Sequence, residues 1–262
     1  MTVMTTLLPK EHGAYGQLSL PLVTAVIVAG PSMAGLLLAL SGVAAFLAHE
    51  PASVLLGLRG ARIRQELGGT AIRWMICALG VSAIAGAIAL LVIHRNARWS
   101  IAVPIVPAIL LGMATVRGRE KSWYGEVAAA LAFAGLAVPI VMSGGGSSTS
   151  AIAVAAPFAL LFVTSTLAVR TVILRVRGGG HPRAMMATRR TVFAAAAVSM
   201  TCLAWLVADK ALPAATIAAA GPGLLTAVVI AVRPPHPTRL REIGWTLVAV
   251  SVLTAVIVIA TV

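Results

Sequence analysis

The sequence predicts an all-α fold: a polytopic transmembrane helical bundle of about nine spans, N-terminus cytoplasmic and C-terminus outside. Three observations carry that expectation. Of 262 residues, 60% are hydrophobic and only 10% charged, where a soluble domain is roughly one quarter charged. Mean hydropathy is +1.00, and the apolar residues come in repeated blocks near the ~20 residues a helix needs to cross a bilayer. The basic residues between those blocks also fall on alternate sides of the implied membrane, as cytoplasmic loops require.

The blocks run over residues 16–31, 32–49, 72–93, 99–116, 124–143, 151–174, 191–208, 212–232 and 242–262. The first is short and interrupted by Pro21, and Gly30-Pro31-Ser32 is a tight-turn signal before the second. A re-entrant hairpin over these two blocks is therefore the alternative to two full spans. The stretch before the first block is polar and further spans follow at once, unlike a cleaved signal. Residues 1–262 are expected to form one integral membrane domain in the cell inner (plasma) membrane.

Placing the N-terminus inside assigns 17 Lys and Arg residues to the inner side and only Arg95, Arg98 and Lys210 to the outer. Losing one span would scramble that partition. The outer connections are short or bland, and Gly144 to Ser148 has the composition of a flexible linker. The inner loops, above all 50–71 and 175–190, are long and Arg-rich, so the functional face is expected to be cytoplasmic. They follow the second and sixth blocks, a spacing that hints at a duplicated four-helix unit plus one helix.

The composition excludes several classes. A formal charge of +13 would suggest nucleic acid on a soluble chain, but here basic residues mark cytoplasmic loops, and no nucleic-acid partner is expected. Cys77 and Cys202 lie inside apolar blocks and read as small core residues rather than a disulfide. Walker loop, His-Glu-x-x-His, Cys-x-x-Cys and nucleophile-elbow patterns are absent. No metal and no cofactor is predicted.

A charge within a span costs about 2.5–3.5 kcal/mol on insertion scales, so each charge near an apolar block is a functional candidate. Pro9 suits a first helical turn, after which Glu11 and Tyr15 share a face with His12 beside them; the competing reading is an interfacial anchor. His49-Glu50-Pro51 closes the second block. Pro51 is expected to break the helix there, and Arg59 is placed to pair with Glu50. Glu126 opens the fifth block and is expected to be the most inward-facing acid, although a carboxylate there also suits the helix dipole. Glu120 and Lys121 before it read as solvated. Arg170 ends the sixth block. Arg239 and Glu242 open the ninth, either as site residues or as a surface i,i+3 pair. The catalytic candidates are thus Glu11, His12, Tyr15 and Glu126, and the substrate-binding candidates Glu50, Arg59, Arg170, Arg239 and Glu242.

The opening Pro9-Lys10-Glu11-His12-Gly13-Ala14, followed by apolar spans, resembles the YwiC-like family of bacterial membrane proteins. Lys121 to Glu126, reading Lys-x-x-x-Gly-Glu, fits the same resemblance. It implies a membrane location and no reaction. Nine helices with long inner loops after the second and sixth are also similar in architecture to UbiA-type intramembrane prenyltransferases. Those enzymes hold Mg²⁺ on Asp-rich motifs in these loops, whereas here 50–71 offers Glu50 and Glu66 and 175–190 no acid. That similarity therefore implies a scaffold without its metal-diphosphate chemistry.

The leading expectation is a polar, cytoplasm-facing pocket that binds a lipid or isoprenoid-type anionic substrate, with the bilayer itself as the main partner. The alternatives are a transporter using Glu and His within the bundle, and a non-catalytic membrane assembly protein whose polar groups only join helices. Few polar residues fall at mid-span, where a transporter needs them.

Overall fold

The computed structural model describes residues 7–9, 12–177 and 182–262, and among them every regular element is helical. The elements are α1 (His12–Ala29), α2 (Met33–Leu47), α3 (His49–Leu55), α4 (Ala61–Val92), α5 (Ala102–Val116), α6 (Trp123–Gly135), α7 (Ala137–Ser143), α8 (Ser148–Arg177), α9 (Pro182–Ala208), α10 (Ala215–Val232) and α11 (Leu240–Thr261). Short 3-10 turns, Arg95–Ile101 and Pro237–Arg239, precede α5 and α11. Among the described residues eight segments are long and apolar enough to cross a membrane, counting α2–α3 and α6–α7 as one each, and α1 is a shorter ninth.

The two divided segments share one cause. Proline has no N–H and frees the carbonyl four residues earlier. Pro51 frees Leu47, where α2 ends, and Pro139 frees Gly135, where α6 ends. Ala48 and Leu136 at the joints keep right-handed helical dihedrals, so the chain continues into α3 and α7 rather than turning back. The break expected near Pro51 is thus only a missed hydrogen bond.

The expected inner loops are mostly helix. Only residues 56–60 separate α3 from α4, and α8 and α9 leave just 178–181 between them. Arg, Gln and Glu are good helix formers, and outside the bilayer water solvates them, so α4 begins eleven residues before its apolar block. At 32 residues it measures about 48 Å, well beyond the ~30 Å apolar thickness of a bilayer. The Gly144–Ser148 run is not a slack linker either. Gly145 takes φ +89°, Gly146 N–H donates to the Val141 carbonyl at 3.0 Å, and α8 starts at Ser148.

α6–α7 and α8 form the centre, with 61% of the most apolar window of each buried, against 11% for α4 and 17% for α9. α8 packs on α6, α7, α9, α10 and α11, whereas α4 packs on α2 and α3. In a membrane the exposed sides of α4 and α9 face lipid. Helices meet through small residues, as lipid-embedded bundles require: a Cβ on Gly42 of α2 would stand 2.7 Å from Leu136. Ser41 Oγ donates to the Ser82 carbonyl at 2.9 Å, tying α2 to α4.

Candidate functional site

The charged centre of the molecule is built by two glycine turns. After α3, Gly57 takes φ +76°, Leu58 N–H donates to the Ser53 carbonyl and Gly57 N–H to the Val54 carbonyl, both at 3.0 Å. This is a Schellman cap, which needs a residue in the left-handed region and therefore favours glycine. After α5, Gly118 at φ +64° forms the same cap, with Arg119 N–H on the Ala114 carbonyl at 2.8 Å. Each turn delivers a charged residue two positions later: Arg59 from the first, Glu120 from the second. The turns touch, since a Cβ on Gly118 would meet Leu58 at 3.5 Å.

Glu50, in the first turn of α3, is 1% exposed and is the buried acid among the described residues. Arg59 grips it with two nitrogens, Nε donating to Oε1 at 2.8 Å and Nη2 to Oε2 at 2.5 Å. This fork geometry suits a carboxylate, and arginine keeps its charge when partly buried. The pairing expected from sequence is present.

Arg59 Nη1 turns toward Glu120, 3.9 Å from its Oε1. Two more polar groups converge on the same carboxylate: Ser53 Oγ, which donates to Oε2 at 3.3 Å, and His49 Nε2, 3.4 Å away. Glu120 is only 11% exposed, so the expectation that it is solvated is overturned. The acid sat in a charge run that reads as a surface loop, and only the folding of that loop onto α3 buries it. Its signal was Gly118 two residues before it, mirroring Gly57 before Arg59. The positive charge between the carboxylates of Glu50 and Glu120 is the guanidinium of Arg59.

Glu126, expected to be the most inward acid, is 35% exposed on the first turn of α6. Arg170 of α8 reaches it at 3.3 Å and also donates to the Lys121 carbonyl at 3.3 Å. Gly125 beside it has a steric reason: a Cβ there would stand 2.4 Å from the Glu120 carbonyl oxygen. The loop carrying residues 117–122 thus joins both charged groups, α3 on one side and α8 on the other.

Tyr15 lies on α1, edge-on to Phe46 at 5.1 Å, and Phe46 in turn to Phe133 at 5.5 Å. This aromatic chain ties α1, α2 and α6 together. Glu11 lies outside the described residues, as does the side chain of His12, whose backbone opens α1. Arg239 and Glu242 form an exposed i,i+3 pair at 3.8 Å, 66% and 71% exposed, and do not join the others. Of the nine candidates, the structure brings Glu50 and Arg59 to one network and Glu126 and Arg170 to an adjoining pair, while Tyr15 joins the aromatic chain through Phe46. Sequence reasoning missed His49, Ser53 and Glu120 as members.

Residues 8–142 match the family model described as YwiC-like protein. The match takes in Tyr15, His49, Glu50, Ser53, Arg59, Glu120 and Glu126, while Arg170 lies beyond it. No curated protein and no solved structure matches the chain.

Proposed function

The chain belongs to the YwiC-like family, and we propose that it binds an anionic, lipid-like ligand at the membrane surface, with the anionic head on Ser53, His49 and Arg59. One observation carries this reading. The Ser53 hydroxyl, the His49 imidazole and the Arg59 guanidinium, from α3 and the turn after it, converge on the Glu120 carboxylate, all at 3.3–3.9 Å, longer than the 2.7–2.9 Å of a strong charge-assisted bond. Glu120 is loosely held in a place made for an anion. Arg59, by contrast, is fixed by its tight grip on Glu50, so the cradle is preorganised. Glu120 acts as an internal stand-in that an external phosphate or carboxylate displaces.

A lipid-like ligand fits better than a soluble anion because the cradle sits where apolar helices end, at headgroup depth. Of the ion-paired acids, Glu50, Glu126 and Glu242 lie in the first turns of helices, Glu66 follows one turn into α4, and Glu120 lies in the loop before α6. That favours binding at a membrane surface over transport through mid-bundle acids. This end of the bundle faces the cytoplasm in our reading, following the partition of basic residues, and the membrane is the inner (plasma) membrane.

The test is thermal unfolding of the detergent-solubilised protein with added lipid. Glu120→Gln removes the competing charge and is expected to strengthen stabilisation by phosphatidate over phosphatidylcholine, and adding His49→Ala to lower it again. Equal stabilisation by both lipids, or no gain in Glu120→Gln, overturns the reading.

A further inference from the structure

Consecutive helices in a membrane bundle usually pack on each other, yet α4 and α5 do not. α4 lies mainly on α2 and α3, and α5 on α6, with no extended packing of α4 along α5. The two are nonetheless tied at both ends. The 3-10 turn Arg95–Ile101, anchored by buried Ala97 and Ile101, joins them at one end. At the other, the turn before α4 meets the turn after α5 through Leu58 at Gly118 and Arg59 at Glu120. Between these closures lies a side opening framed by α4 and α5.

Its back wall is α2 and α6, which meet at Phe46 and Phe133. Ala45 marks the opening. On α2 it lies between Ser41, bonded to Ser82 of α4, and the Gly42 and Phe46 positions that face Leu136 and α6. A residue so flanked would be buried if α4 and α5 closed over it, and Ala45 is exposed.

We propose that this opening admits one apolar chain of the ligand laterally from the bilayer, with its anionic head on the Ser53–His49–Arg59 cradle at the opening's charged end. The inference rests on the head-group reading above and adds where the chain lies. The occupant follows from continuity. The opening runs from headgroup depth at Arg59 into the apolar layer, which is the course of an amphiphile, and at its back wall the exposed Ala45 carries only a methyl group, which leaves room for a chain. A free phosphate would use the cradle and leave the opening empty.

Three probes separate these cases: inorganic phosphate, a diacyl phosphatidate and a long isoprenyl monophosphate, each titrated against the full chain in detergent and read by thermal shift. We expect both amphiphiles to bind at least about tenfold more tightly than phosphate, because chain burial adds to head binding. The stronger of the two identifies the chain class. Ala45→Phe fills the opening and should remove that advantage while leaving phosphate binding unchanged. If Ala45→Phe keeps the full chain-dependent gain, the chain lies elsewhere and this inference falls while the head-group reading stands. If no probe's binding depends on His49 and Arg59, both fall. Should Ala45→Phe not fold, the wild-type protein decides: a phosphatidate with a mid-chain diazirine, at substoichiometric dose, should label α4 and α5 over α9. Equal labelling of α9 overturns the proposal.

Discussion

Arg59 and Arg62 stand three residues apart, and each places its Nε 2.8 Å from a glutamate Oε1, of Glu50 and Glu66 respectively. By that one distance the two ion pairs match, although Arg59 adds a second bond from Nη2 to Oε2 of Glu50. By surroundings they are opposites: the Glu50 side chain is 2% exposed and Arg59 21%, whereas Arg62 is 89% exposed and Glu66 57%. The comparison teaches that ion-pair geometry does not set energetic weight; the solvent available to each partner does. A charge that water can reach loses little when its partner goes. A charge shut away from water has no alternative.

The largest effect follows at Arg59. Arg59→Ala leaves the Glu50 carboxylate buried and unpaired, which is expected to cost about 3–5 kcal/mol of stability, read by denaturant or thermal unfolding in detergent. Changing both residues to apolar ones of similar size (Arg59→Met with Glu50→Leu) should recover most of that loss, because a buried pair is near break-even against a packed apolar pair. A loss under about 1 kcal/mol for Arg59→Ala would put the pair in the same class as Arg62–Glu66 and erase the contrast.

The same contrast separates what could be read from sequence and what could not. The pairing of Glu50 with Arg59 was legible because both partners lie in one short stretch after an apolar block, where the chain must turn. The helical segments were legible for a similar reason: each is written in a continuous run of apolar residues. Glu120 was not legible, since its burial depends on a loop 67 residues away from Ser53 folding onto α3. Glu126 is more exposed than its place at the start of an apolar block suggests, because a helix face can open to solvent at any depth near its end. The extents of α4 and α8 were underrated because the apolar pattern stops at the membrane boundary while the helix continues into water.

A smaller effect is expected at the turns that set the contrast up. Gly57 and Gly118 hold positive φ, where any L side chain is strained, so Gly57→Ala and Gly118→Ala should each cost about 1–2 kcal/mol. Their consequences should differ from those of an ordinary strained turn. Each displaces a charged residue two positions on, Arg59 or Glu120, so both variants should also weaken the phosphatidate-specific thermal shift. Gly145, with φ +89° at a turn without this network, is the control: Gly145→Ala should lower stability similarly and leave that shift intact. Loss of the shift in Gly145→Ala as well would mean that general loosening, rather than placement of Arg59 and Glu120, explains the result.

The smallest effect belongs to the exposed pair. Arg62 and Glu66 are i,i+4 on the first turns of α4, with the cation N-terminal to the acid, the weaker order for such a pair. Glu66→Ala should change stability by no more than about 0.5 kcal/mol, and added salt should abolish the difference. The double-mutant cycle makes the comparison quantitative. Coupling between Arg62 and Glu66 should fall to nothing as ionic strength rises, while coupling between Arg59 and Glu50 should persist, because ions cannot enter where water does not. If both couplings decay together with salt, Glu50 is solvated after all. The cradle then loses the rigid anchor that holds Arg59 in position for an anion.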